Sequence, residues 1–221
     1  MNQIGGHRAA RSDRIEPEMS AQTRNGHTVP GLNDSKKIDE IRGHVRSIIE
    51  ILGLDPQTDP NLHETDRRVA KMYLEMFSGP SEGAEPDITC FPNEENYSSM
   101  VMEKDIPFYS LCAHHFVPFY GHAHMAYIPN ERIIGLSKMP RIVEFYGKRP
   151  QIQERLTEQI AGYLENRLKP QGTMVVLEAR HLCVEMRGVK KPGAVTVTCA
   201  IRGIFLNKAV REEFLDLLKR R

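Results

Sequence analysis

Two periodicities organise most of the chain, and the first thirty-odd residues show neither. Gly5, Gly6, Gly26, Gly31 and Pro17 punctuate a polar stretch with almost no apolar pattern. Such a segment buries too little surface to offset the entropy of ordering, so 1–33 reads as a disordered tail. Ile38, Ile41, Val45, Ile48, Ile49 and Leu52 then recur at helical spacing from a start at Asp34 or Ser35, and Gly53 stops the run. A second helix is expected from Thr65, an N-cap candidate, with Val69, Ala70, Tyr73, Met76 and Phe77 on its apolar side. Gly79, Pro80, Gly83, Pro86 and Pro92 mark the loop that follows, with a short strand near Ile88. These elements form an N-terminal helical region over 34–98.

From about 99 the period shifts. Strands are expected over 99–110 and 117–128, then helices over 137–147 and 151–168, then strands over 173–187 and 194–206 rich in Val, Thr and Ile. A closing helix from about 208 carries Phe214, Leu215, Leu217 and Leu218. Two hairpins with two helices between them imply an α+β domain over 99–221: a four-stranded antiparallel sheet with two helices on one face. The outer strands of so small a sheet are exposed edges, and oligomerisation is the expected way of pairing them.

Composition narrows the function classes. Thirty Lys+Arg against twenty-nine Asp+Glu give a net charge of +1, which excludes a bulk electrostatic affinity for nucleic acid or anionic membrane. No apolar run approaches the ~18 residues of a membrane span. Arg8, Arg11 and Arg14 hint at a transit segment, but Asp13, Glu16 and Glu18 argue against one, so a cytoplasmic enzyme is expected. Four cysteines are too few for a disulfide scaffold and suit metal ligands, reactive thiols or core.

The densest chemistry is Cys112-Ala113-His114-His115, whose complement is His181-Leu182-Cys183. Zinc takes thiolate and imidazole ligands, and a catalytic site keeps three protein ligands with a fourth position open. Cys112 and His115 point to opposite faces if extended, so a shared metal requires an irregular turn between them. His181 and Cys183, two apart on a strand, face the same way. A site of Cys112, His115 and Cys183 leaves His114 and His181 as acid–base groups. Spacing alone also permits unconnected polar residues in a sheet. Cys199, between Val195, Val197 and Ile201, reads as core, Cys90 has no partner pattern, and His122 and His124 read as structural.

A basic constellation follows. Gly135-Leu136-Ser137-Lys138 leads into a helix with Arg141 one turn on, and a helix N-terminus with hydroxyl, ammonium and guanidinium donors favours a phosphate ligand. A solvated helix face is the plainer alternative. Arg187 follows the second Cys/His segment, and Arg68 and Lys71 lie one turn apart on the second helix. Gln153 and Glu154 open a helix after Pro150; the glutamate complements the helix dipole, and a carboxylate there can also accept paired N–H donors from a guanine edge.

Taken together, CAHHFVPFYGHAHMAYIP at 112–129, IGLSKMPRIVEFYGKRPQIQERLTEQIA at 134–161, HLCVEMRGVKKPGAVTVT at 181–198 and ETDRRVAKMY at 64–73 resemble the GTP cyclohydrolase I family, in order and over nearly everything after residue 34. The resemblance implies the tunnelling fold, a ring-forming homo-oligomer that in this family is a decamer of two pentamers, and active sites between subunits. It implies Zn2+ on Cys112, His115 and Cys183, and proton transfer by His114 and His181. Guanine recognition would fall to Glu154 assisted by Gln153, the triphosphate of GTP to Ser137, Lys138, Arg141, Arg187, Arg68 and Lys71, with Leu136 a further substrate-binding residue. The implied reaction opens the imidazole ring of GTP at C8, releases formate and yields 7,8-dihydroneopterin triphosphate, the first step of folate and pterin biosynthesis. Two positions depart from the family pattern. Ala113 stands where a Glu is usual, which leaves a catalytically weakened GTP- or pterin-binding paralogue as the alternative. Asp66 replaces a more usual Pro, a change expected to be minor because either residue suits a helix start.

Overall fold

Alternating apolar positions on β2 (Val101–Cys112), β3 (Pro118–Ile128), β6 (Gly172–His181) and β7 (Val195–Gly203) build the centre of the molecule in the computed structural model. The structure describes residues 33–79, 86 and 88–220; the tail expected over 1–33 lies outside them apart from Asn33. The remaining elements are α1 (Asp34–Ile51), α2 (Thr65–Met76), β1 (Cys90–Pro92), β4 (Arg132–Ile134), α3 (Lys138–Gly147), β5 (Pro150–Gln151), α4 (Gln153–Leu168), the short turn α5 (Leu182–Glu185) and α6 (Lys208–Lys219). The four long strands pair antiparallel in the order β2-β3-β6-β7, as the sequence suggests. A fifth, two-residue strand, β5, adds in parallel beside the end of β2, and β1 and β4 form a separate ribbon.

One sheet face holds the main core. Phe119, Ala123, Met125 and Tyr127 of β3 and Val175, Leu177 and Ala179 of β6 lie under Met139, Ile142 and Val143 of α3 and Leu156, Ile160 and Leu164 of α4. The other face is covered at one end, where Ala126, Ile128, Met174 and Val176 meet Phe205 and Phe214. Its opposite end, bearing Tyr109, Tyr120, His122, Glu178 and Arg180, forms a cavity of about 360 Å3.

Three local expectations change. Thr65 is the first residue of α2, and Glu64, in a left-handed conformation, precedes it without capping by its side chain. The strand expected over 173–187 stops at His181, and Leu182–Glu185 turn as a short helix. Cys199 is exposed, on the face of β7 that also exposes Val195 and Val197. The α4 side of β7 instead carries Thr196, Thr198 and Ala200, where Thr157 bonds Thr198 at 2.6 Å and Gln153 donates to Thr196 O at 3.0 Å. Hydroxyls and carbonyls with partners can face a helix, so this face meets α4, with Ala200 buried, Thr198 half-buried and Thr196 still exposed.

Asp66 is more than a helix opener. It is buried and accepts from Arg42 Nε at 3.0 Å and Arg46 Nε at 3.1 Å, tying α1 to α2. Burial pushes its carboxyl up in pKa, but the bonds from Arg42 and the Arg67 backbone N–H, with the charges of Arg42 and Arg46, bring it below the usual value.

Candidate metal centre and active site

Strand β2 delivers Cys112 to the end of the sheet, and the chain must then reverse into β3. Residues 113–115 form a turn in which the N–H groups of His115 and Phe116 both donate to Cys112 O, at 3.2 and 2.8 Å. Phe116 adopts a positive φ of 52°, a conformation uncommon for a bulky residue. Its ring packs edge-on against Phe77, just after α2, with centroids 5.2 Å apart. Ala113 N donates to Gln151 O at 2.8 Å, fastening the turn to β5. This is the irregular reversal that a shared metal requires, and it swings His115 back so that Nδ1 lies 3.8 Å from Cys112 Sγ.

The second segment arrives from β6. His181 ends the strand in register with Phe119, and the two rings stack at 4.7 Å with planes 2° apart. The turn α5 then sets Cys183 Sγ 3.8 Å from Cys112 Sγ. Cys183 therefore reaches Cys112 from a helical turn rather than along a strand face shared with His181. The ligand atoms of Cys112, His115 and Cys183 all lie within 4.8 Å of one another. Two thiols and an imidazole are a donor set that zinc accepts, and three ligands leave one tetrahedral position open. Burial first, then the hydrogen bond to Cys112, raises the pKa of the Cys183 thiol, so a metal must displace protons to bind. His114 Nδ1 is also 3.7 Å from Cys112 Sγ, but among the described residues it does not join the mutually close group.

Gln153 has a different environment from that expected of a substrate reader. Its side chain is buried, its amide nitrogen donates to Leu177 O and Thr196 O, both at 3.0 Å, and its oxygen lies 2.7 Å from His181 Nε2. Glu154 beside it is exposed, and its charge acts on His181, partly offsetting the burial that lowers the imidazole's pKa.

The basic candidates divide. Arg187 meets the ligand group, an Nη lying 3.0 Å from His115 Nε2. Ser137 stands at the N-cap position of α3, without a capping bond from its side chain, and precedes Lys138, with Leu136 63% exposed beside them. The side chains of Ser137, Lys138, Arg141, Arg68 and Lys71 form no ion pair or hydrogen bond with another described residue. Phe119 was not singled out from the sequence, because its alternation with other core positions gives no sign that His181 lies opposite.

Comparison with known proteins now bears on this arrangement. A family profile described as GTP cyclohydrolase I matches residues 41–219. The chain belongs to the GTP cyclohydrolase I family. It is 50% identical over 189 residues to a protein named GTP cyclohydrolase 1 from Streptococcus mutans serotype c, covering 85% of this chain and 96% of that one. It is likewise 50% identical over 182 residues to GTP cyclohydrolase 1 of Clostridium kluyveri, covering 82% and 97%, and 49% identical over 182 residues to that of Carboxydothermus hydrogenoformans, covering 81% and 94%. The antiparallel sheet backed by α3 and α4 is the tunnelling fold of the GTP cyclohydrolase I family. A crystal structure of an archaeosine synthase QueF-like protein in the apo form is more distant, at 18% identity and a TM-score of 0.39 over 48% of this chain and 94% of that one. No described helix is long and apolar enough to cross a membrane.

Proposed function

We propose that this chain is a zinc-dependent GTP cyclohydrolase I, opening the guanine imidazole ring of GTP at C8 to release formate and form 7,8-dihydroneopterin triphosphate. The observation that carries this reading is the convergence of Cys112, His115 and Cys183 from two separate segments, in a chain of this family. Zinc held by those residues supplies Lewis-acid activation of water near neutral pH.

The chain's own groups do the rest. Gln153 accepts from His181 Nε2–H, which leaves the Nδ1 lone pair free to take or return a proton at a guanine ring nitrogen. Stacking on Phe119 holds the ring plane. His114, exposed beside the cluster, is the second proton-transfer group. Glu154 accepts from N1–H and the 2-amino group of guanine, with the Gln153 backbone N–H beside it. Leu136, Ser137, Lys138, Arg141, Arg187, Arg68 and Lys71 form the triphosphate grip. Arg187 reaches the cluster within one chain, at His115, and we infer that some of the others arrive from a neighbouring subunit.

Assembly into a ring, as a decamer of two pentamers, completes the reading. The exposed Val195 and Val197 of β7, at one sheet edge, and the largely uncovered edge of β2 at the other support it. Ala113 favours one second reading, a GTP-binding paralogue with weak or no turnover, since no carboxylate joins the Cys/His group among the described residues. One assay separates the two: formate and pterin fluorescence are followed together on zinc-loaded protein with GTP. Both signals rising in step support the enzyme; bound zinc and bound GTP with neither signal support the paralogue.

A further inference from the structure

The two residues flanking His181–Cys183 on either side are bound to each other. Arg180, just before the end of β6, donates from Nε to Glu185 Oε1 at 2.7 Å and from an Nη to Oε2 at 2.5 Å, a two-pronged contact. Glu185 closes the turn α5, and its side chain is 7% exposed. Val184 O, in the same turn, accepts the backbone N–H of Lys191 at 3.2 Å, in the loop before β7. On the other side, the Arg180 guanidinium lies 5.9 Å from the centre of the Tyr120 ring, and Tyr120 stacks on Tyr109 at 5.8 Å. The turn is thus fastened to the outer sheet face and to the loop that follows it.

That fastening answers a local weakness. The turn is only four residues long and is closed at its end by Met186 N donating to Leu182 O at 3.0 Å. One short helical turn does not recover the entropy of fixing the residues that form it. Cys183 lies between the two anchors, three residues after Arg180 and two before Glu185, so fixing both ends fixes the position of its sulfur. Glu185 is buried but the Arg180 side chain is 43% exposed, so solvent screens the pair and it adds little net stability; its better-supported use is to select one arrangement among several.

We propose that the Arg180–Glu185 pair is a positioning device that presets Cys183 opposite Cys112 and so tightens metal binding at the cluster. The inference rests on the reading of Cys112, His115 and Cys183 as ligands. Neither Arg180 nor Glu185 belongs to the ligand group, and both act through the backbone of α5.

The test uses the full chain, stripped of metal and titrated with zinc against a chromophoric chelator. Glu185→Gln, Arg180→Met and the double variant are compared with Arg180→Lys, which keeps the charge but not the two-pronged contact. Each of the first two is expected to weaken zinc about 10–100-fold, the usual effect of removing a residue that orients a ligand. The double variant should lose no more than the worse single, because both remove one device, and Arg180→Lys should fall between wild type and Arg180→Met. The cobalt-loaded variants should show a weakened thiolate-to-metal absorption band, while the melting temperature of the metal-free proteins stays close to wild type. Wild-type zinc binding with unchanged affinity in all variants overturns the positioning role alone. No zinc uptake by wild type overturns the ligand reading, and the positioning role with it. Loss of zinc affinity matched by an equal collapse of the metal-free fold assigns the pair to stability instead.

Discussion

The side-chain oxygen of Gln153 sits 2.7 Å from Nε2 of His181, while both hydrogens of its amide nitrogen are taken by Leu177 O and Thr196 O. The amide cannot donate to the ring, so the ring donates to it. His181 therefore carries its hydrogen on Nε2, and Phe119 holds the ring flat at 4.7 Å.

This relationship predicts a division between binding and turnover. His181→Ala should retain GTP affinity and release no formate. Gln153→Ala should lower kcat about 10–100-fold with little change in KM, as expected when a residue that orients a functional histidine is lost. Leu177 O and Thr196 O would lose partners in that variant, at a cost of about 1–3 kcal/mol for each group left unsatisfied, so its urea midpoint should also fall. Single-turnover formate release beside equilibrium GTP binding checks both. Normal turnover by His181→Ala removes His181 from the proposed chemistry, and normal turnover by Gln153→Ala removes only the orienting role of Gln153.

A second prediction concerns Asp66, where the family pattern would place Pro. Its carboxylate is shared by Arg42 and Arg46, so Asp66→Pro should uncouple α1 from α2 even though proline suits a helix start. Both arginines are substantially exposed, which screens the charges, and the expected loss is about 1–3 kcal/mol, the range for hydrogen bonds to a charged group. Urea denaturation with limited proteolysis of α1 reads it. An unchanged midpoint with unchanged protection would show that α1 is held by its apolar contacts alone.

How far the sequence carries depends on how each element is stabilised. The helices and four long strands repeat apolar residues over ten or so positions, and that period survives any tertiary arrangement. β1, β4 and β5 span three, three and two residues, too short to show a period, and each exists because a distant strand pairs with it. Cys112, His115 and Cys183 were legible as chemistry because their residue types and spacing suit a metal. The path to Cys183 was not, because α5 is held by Arg180 and by the Lys191 backbone rather than by its own four residues. Cys199 misled for a related reason: alternation shows that β7 has two faces, and partners on α4 decide which one is buried.

His124 gives a pH prediction with a definite sign. It is buried in β3, and its Nδ1 accepts the N–H of Asp105, which sits at a bulge in β2 with φ 58°. Asp105 Oδ1 lies 4.0 Å from the same nitrogen, but a nitrogen that accepts a hydrogen bond is not the proton-bearing end of an ion pair. Burial lowers the His124 pKa below 6.5; Glu178 and Asp105 oppose the shift, and His122 and Lys104 add to it. The unfolded chain therefore binds this proton more readily than the folded one. The stabilising contribution is complete above about pH 6.5 and is lost as pH falls towards the depressed folded value, by up to about 1.4 kcal/mol per pH unit. His124→Gln, which can accept from Asp105 without titrating, should flatten that part of the curve. Urea titrations between pH 5 and 8 check it, and identical slopes for both proteins would exclude His124 as the source.

Metal removal should cost activity and leave the fold. In small zinc domains the metal supplies most of the folding free energy, because there is little apolar core to compete with it. Here the cluster lies at one end of a sheet whose core is closed by Phe119, Met125, Tyr127, Ile142, Leu156, Ile160 and Leu177, each at most 1% exposed. Their burial does not depend on whether Cys112, His115 and Cys183 are joined. Disorder on metal loss should be confined to residues 113–116 and 186–193, which lie beyond the Arg180–Glu185 anchor and rely mainly on a few backbone bonds. Dialysis against a chelator should abolish formate release, leave far-ultraviolet circular dichroism nearly unchanged, and raise amide exchange in those two segments. Zinc should restore activity and protection together. Global unfolding on chelation would instead mean that the two segments, and the contacts they make with Phe77 and the outer sheet face, hold the chain together more strongly than its apolar core.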